Sequence, residues 1–385
     1  MANNINIPES ARIALTDMVE NCAQIRPGQE VLILAHRDDF FGGSAWVDQD
    51  AVDWTAAVVE EHGAKCSVLW IDEPQKLHEW YYPPVVKAAL AAADVCLNFS
   101  YLITTEEFAD FRAHIDEVDT WMVRMFPPTA ALLRTDWAKT PHELVSMIRH
   151  VSSRPFNQHM APFVMTDPNG THLEGFTLNP VKREGIPGMA YDSWRRDASH
   201  YLPWPEWVHP PINCKDVNGV FFFHEMLSWW ARYIELPPAW DTDIRIDVAD
   251  SRIVEISGGP EAKKLKDFLK VMETKVGDGI WKFDTFHFGV HPNACVTAEE
   301  CPNEYIRRTI DHSHSCNLHV HIGSAASSER YHNIYPHITG DIRHADLKVG
   351  DTMVYEQGYL NCLQDPEVLA VAAKYPGRPG IPPKP

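Results

Sequence analysis

The chain has no CxxC pair. Its eight cysteines, Cys22, Cys66, Cys96, Cys214, Cys295, Cys301, Cys316 and Cys362, are scattered over 385 residues. Neither a disulfide framework nor a zinc ribbon is indicated. It has no run of about 18 apolar residues, so no membrane-spanning helix is expected. Its start, Met-Ala-Asn-Asn-Ile-Asn, lacks a basic segment followed by an apolar run; no secretory signal is read, and the cytoplasm is the expected compartment. Positive charge is scarce: 34 Lys and Arg stand against 53 Asp and Glu, a formal net charge of −19. Nucleic acid is excluded as a partner, because phosphates demand a basic face. No GxGxxG follows the first predicted strand, and Gly42-Gly43 is too little for a dinucleotide site.

What is present is enough for a large core and two domains. Hydrophobic content of 45% is ordinary for a globular protein. A helix is expected over residues 8–24, and Arg26-Pro-Gly-Gln-Glu then turns into the apolar run Val31–Ala35. Helical periodicity from Gln49 ends at Gly63, a C-cap glycine. Strands over 65–71, 94–100 and 120–125 alternate with helices over 84–93 and 106–115, and helices near 129–136 and 141–152 follow. Such alternation predicts an α/β domain with a parallel sheet over residues 1–153. After Arg154 the pattern changes to hairpins. Phe163–Glu174 reads as strand, Pro-Asn-Gly turn, strand, and Thr242–Val248 with Arg252–Ile256 as another hairpin. Residues 154–385 are expected to form an α+β domain. The Trp- and Pro-rich stretch Tyr191–Pro211 is either a packed loop or an aromatic wall over a flat ligand.

Histidine is concentrated. Nine of the 20 histidines fall between His287 and Asp346. Neutral imidazole is the commonest nitrogen ligand for first-row metals. In His344-Ala-Asp346, an extended backbone would point imidazole and carboxylate to one face. With one more histidine, the set becomes two His and one carboxylate, the facial arrangement of non-haem Fe(II) oxygenases. His312 and His314 fit a solvated turn as well as a metal pair, and His287 fits a packing role. His319 and His321 share one face of a strand, and His224-Glu225 ends an apolar strand where buried polar groups need partners.

Six segments occur in an order that carries a resemblance: Arg26-Pro-Gly-Gln-Glu-Val-Leu-Ile, Thr166-Asp-Pro-Asn-Gly-Thr-His-Leu, Val254-Glu-Ile-Ser-Gly-Gly-Pro-Glu-Ala, Phe288-Gly-Val-His-Pro-Asn-Ala, Leu318-His-Val-His-Ile-Gly and His344-Ala-Asp346. Together they resemble the thermophilic-type metalloaminopeptidases and their relative 2,5-dihydroxypyridine 5,6-dioxygenase. The dioxygenase branch implies a mononuclear Fe(II) site built from His291, His344 and Asp346. His291 stands where a peptidase is expected to offer a carboxylate, which favours iron. The expected activity is cleavage of a hydroxylated aromatic or N-heteroaromatic ring with O2. His319, Glu225 and His224 are the expected acid–base and pocket residues. The alternative is a two-metal aminopeptidase, in which Glu225 and His319 would match metal ligands. The resemblance also implies a homo-oligomer.

Overall fold

The structure, a computed structural model, describes residues 5–37, 47–71, 84–99, 117–157, 160–178, 201–205, 208–225, 236–237, 239–283, 285–323 and 338–384. The first helix, α1 (Glu9–Asp17), continues as a π-helical turn over Met18–Cys22, so the expected helix over 8–24 is one rod with a wider last turn. Strand β1 (Glu30–His36) follows, then α2 (Gln49–Glu61). Asp48 caps α2 by accepting from Ala51 N at 2.8 Å and from Ala130 N at 2.8 Å. Gly63, at φ +81°, ends this segment in the left-handed region, as the sequence predicts. Then come β2 (Lys65–Ile71), α3 (Pro84–Ala91), β3 (Val95–Asn98) and β4 (Trp121–Met125). The predicted helix over 106–115 lies outside the described residues.

The first sheet has the order β2-β1-β3-β4-β7, and every pair in it is parallel. Its fifth strand, β7 (Tyr201–Trp204), comes from well beyond residue 153. Trp204 is buried in the common core, so this indole is a packing residue and not part of a wall over a ligand. Trp194 and Trp207 lie outside the described residues.

The second sheet is antiparallel throughout. Its strands are β5 (Met160–Thr166), β6 (His172–Leu178), β8 (Ile212–Glu225), β9 (Ala239–Ala249), β10 (Arg252–Ser257), β11 (Thr285–Phe288), β12 (Asn317–Ile322), β13 (Ile338–Arg343), β14 (Asp346–Val349), β15 (Thr352–Glu356) and β16 (Tyr359–Leu360). The main path runs β13-β12-β11-β8-β6-β5-β14-β15-β16, with β9 on β8 and β10 on β9. Strands β13 and β14 are six places apart in this path, yet only His344 and Ala345 join them. Laid flat, they would stand about 29 Å apart, and three peptide steps reach about 11 Å. The sheet must curl. Gly340 on β13 accordingly packs on the Phe223 ring of β8, where an added Cβ would sit 2.9 Å from the ring.

One apolar cluster runs through both sheets, including Val31, Ile33 and Trp204 from the first and Phe221, Phe286 and Leu318 from the second. The tail after Tyr375 is strapped across its own chain. Arg378 donates to Lys139 O at 2.6 Å and faces Asp17 at 3.5 Å, and Gly380 O accepts from Asn293 Nδ2 at 3.0 Å. No described helix is long and apolar enough to cross a membrane.

Candidate metal centre

Strands β11 and β12 bring the histidines together by register. His287 lies opposite His319, and His319 lies opposite Asp341 of β13. His312, at the end of helix Glu304–Asp311, stacks on His319 with centroids 3.5 Å apart. His287, His312 and His319 are all buried, and one ligand atom from each lies within 4.8 Å of the others. Donors around a single ion lie within about 4.2 Å of one another, twice a metal–nitrogen bond. A small closure would therefore suffice. Asp341 adds a carboxylate oxygen 3.3 Å from His312 Nδ1 and 3.9 Å from His319 Nε2. Burial pushes the Asp341 carboxyl up to about 7 and holds His319 well below the ordinary imidazole value.

The hydrogen bonds fix the proton positions. His287 Nδ1 is 3.1 Å from His209 O, and a carbonyl only accepts, so Nδ1 carries the hydrogen. His287 Nε2 then accepts from His321 Nε2 at 2.9 Å, and His321 Nδ1 accepts from Thr285 Oγ1 at 2.9 Å. This is a buried hydrogen-bonded relay of imidazole rings. His287 could take a metal at Nε2 only by displacing the His321 N–H. Neither ring nitrogen of His319, by contrast, makes a hydrogen bond of normal geometry, though the ring lies against the His312 backbone.

His291 sits at the turn after β11. Its backbone N–H donates to Ser313 O at 2.9 Å, and the Ser315 N–H donates back to His291 O at 3.0 Å. Gly289 makes this approach possible, since a Cβ there would lie 2.2 Å from His314 O. The His291 ring is fully buried, and desolvation holds its pKa down to about 3. Nδ1 accepts from Asn293 N at 3.1 Å, while Nε2, turned toward the Trp137 carbonyl, makes no hydrogen bond of normal geometry. Asn293 in turn donates to Thr140 Oγ1 at 3.0 Å, tying the turn to the α/β domain.

His344 and Asp346 occupy the corner between β13 and β14. His344 is exposed and left-handed, with φ +55°. The extended geometry expected for His-x-Asp is therefore broken at its first residue. Asp346 accepts from Gln357 N at 2.6 Å through one oxygen, leaving the other for a ligand. His291, His344 and Asp346 are not drawn into a compact donor group as the buried three are.

His224 and Glu225 face opposite sides of β8. His224 turns outward toward Asp243, 3.5 Å away. Glu225, only 2% exposed, is held between two guanidinium groups: Arg308 Nη1 is 2.5 Å from one oxygen, and Arg343 Nε touches the other. Asp311 completes the network at 3.5 Å from Arg308 and 3.7 Å from Arg343. Arg343 immediately precedes His344, so Glu225 anchors the corner that carries the His-x-Asp pair. The sequence reading missed Arg308, Arg343 and Asp341. The available signal was Gly340-Asp-Ile-Arg-His, polar residues alternating in a buried strand.

No family model matches the sequence, and neither does any curated protein. The fold is that of a known two-domain class. The structure of 2,5-dihydroxypyridine dioxygenase from Pseudomonas putida KT2440 superposes with a TM-score of 0.61 at 14% identity, covering 94% of this chain and 99% of that one. The aminopeptidase AmpT from Thermus thermophilus superposes with a TM-score of 0.50 at 13% identity, covering 91% of this chain and 98% of that one. At these identities the likeness establishes the shared α/β two-domain architecture.

Proposed function

We propose that this protein is a metal-dependent enzyme, a mononuclear Fe(II) dioxygenase that cleaves a hydroxylated aromatic or N-heteroaromatic ring. The observation that carries a metal centre is the set of buried imidazole nitrogens without a hydrogen bond of normal geometry, His291 Nε2 and both nitrogens of His319, at one end of one sheet. Buried polar atoms are rarely left unpaired. The two structures named above are enzymes by name, and the one of these with the higher TM-score is a dioxygenase.

Access favours the corner donor set over the buried one. A reacting ring has to reach the metal from solvent. His287, His312 and His319 are at most 4% exposed, and His287 is already paired with His321. His344 is exposed and Asp346 half-buried. The proposed ligands are His291, itself fully buried, with His344 and Asp346, which would give the set its opening toward solvent. Bound iron would let a substrate hydroxyl and O2 meet side by side. His319 is the proposed acid–base group. Its ring is neutral and stacked on His312, beside Asp341, whose raised pKa lets the carboxyl hold a proton near neutral pH. Glu225 positions Arg343 and, through it, His344.

The second reading is a two-metal aminopeptidase, favoured by the superposition on AmpT. Against it, Glu225, its expected carboxylate ligand, already holds two arginines. Metal analysis after anaerobic loading tests both. About one iron per chain, with oxygen uptake on a panel of dihydroxylated rings, supports the oxygenase. Two zinc, cobalt or manganese ions with cleavage of a leucine anilide support the peptidase. Among single variants, His291→Ala, His344→Ala and Asp346→Ala should each lose bound iron, while His312→Phe should retain it. The reverse pattern moves the iron to the buried cluster.

A further inference from the structure

A small cavity lies between the parallel sheet and the helix Glu304–Asp311. Phe126, Trp137 and Pro205 wall it on the sheet's side, and Ile306 and Ile310 on the helix side. Phe126 and Pro205 directly follow β4 and β7, so the cavity stands outside the carboxyl end of the sheet, the end at which α/β folds place their ligands. The Phe126 N–H donates to Trp204 O at 2.9 Å and ties the two strand ends together. Phe126, Trp137, Ile306 and Ile310 are at most 5% exposed, so packing fixes the walls.

Size and polarity narrow the occupant. There is room for about one water-sized molecule, far too little for an aromatic ring. Water itself needs about two to four polar partners, and this wall is mostly carbon. Two hydroxyls border it, and both are engaged. Ser313 Oγ donates to Ile310 O at 2.7 Å, and Thr309 has a partner of its own. The Trp137 Nε1–H makes no hydrogen bond, but a single donor does not hold a water. A small apolar molecule is what fits. The cavity also adjoins the candidate iron centre. Ser313 O takes the His291 N–H at 2.9 Å, and the Trp137 carbonyl faces His291 Nε2. Two wall residues thus cradle a proposed iron ligand.

We propose that this cavity is a docking site for dioxygen beside the iron. The proposal rests on the dioxygenase reading, with His291 as a ligand. Xenon, an apolar probe that enters such cavities, should occupy it in pressurised crystals of the full-length protein, between Trp137 and Ile310. Ile310→Phe, which fills the space, should exclude xenon there. In oxygen-uptake assays the same variant should raise KM for oxygen about tenfold, while iron content, KM for the ring and kcat at saturating oxygen stay near the parent's. If that variant does not fold, Ile306→Met, a longer side chain of similar volume, carries the test. A cavity that holds water or takes no xenon in the parent, or an unchanged KM for oxygen once the space is filled, overturns the proposal and leaves the dioxygenase reading standing. No oxygen uptake by the iron-loaded parent on any ring overturns that reading and, with it, dioxygen as the occupant.

Discussion

Replacing Glu225 with Gln removes one buried charge and keeps its shape. Removing one partner of a buried ion pair costs about 3–5 kcal/mol when the other charge stays trapped. Here the remaining partners are not trapped. The side chains of Arg308 and Arg343 are 26% and 35% exposed, and Asp311 stays within 4 Å of both. The cost should fall below that range, at about 2–3 kcal/mol. For a domain of this size that corresponds to about 5–10 °C in melting temperature. Calorimetry on the metal-free protein reads the stability, and iron titration reads the corner, since Arg343 loosened from Glu225 should weaken retention of iron by His344. If Glu225→Gln melts within a degree of the parent, binds iron normally and loses turnover, Glu225 acts in the chemistry and the anchoring argument is wrong.

Three further outcomes follow from the packing. Desolvation lowers the buried His209 to about 3 from an ordinary 6.5; a depressed pKa means stability is lost as pH falls from 6.5 toward 3, about 2 kcal/mol of it by pH 5. Urea unfolding of His209→Gln should show a pH slope shallower by about one proton in that window, and an unchanged slope refutes the assignment. Trp204→Ala should cost about 3–5 kcal/mol by opening a cavity in the common core, with substrate affinity unchanged in the protein that remains folded; a selective rise in KM would restore Trp204 to the ligand wall. Gly289→Ala should force the 289–291 turn away from residues 313–314, lowering iron content far more than far-ultraviolet dichroism, and full iron retention would place the ligands elsewhere.

The sequence by itself determined the elements and their faces. Val31–Ala35 has no polar residue and became a strand buried on both sides. Gly63 ended its helical segment, and Asp167-Pro-Asn-Gly170 turned β5 into β6, because capping, turn chemistry and periodicity act over a few residues. The histidine-rich stretch was legible as a metal-binding composition for the same reason. Only the tertiary structure decided the partners. Nothing local indicates that Tyr201–Trp204 completes the first sheet, that His287 lies opposite His319, or that Glu225 sits between Arg308 and Arg343. It also decided that His344 turns left-handed, because the two-residue link between β13 and β14 must round the corner of a curled sheet. Register and closure are set by how whole faces pack, and a face is assembled from residues far apart in the chain.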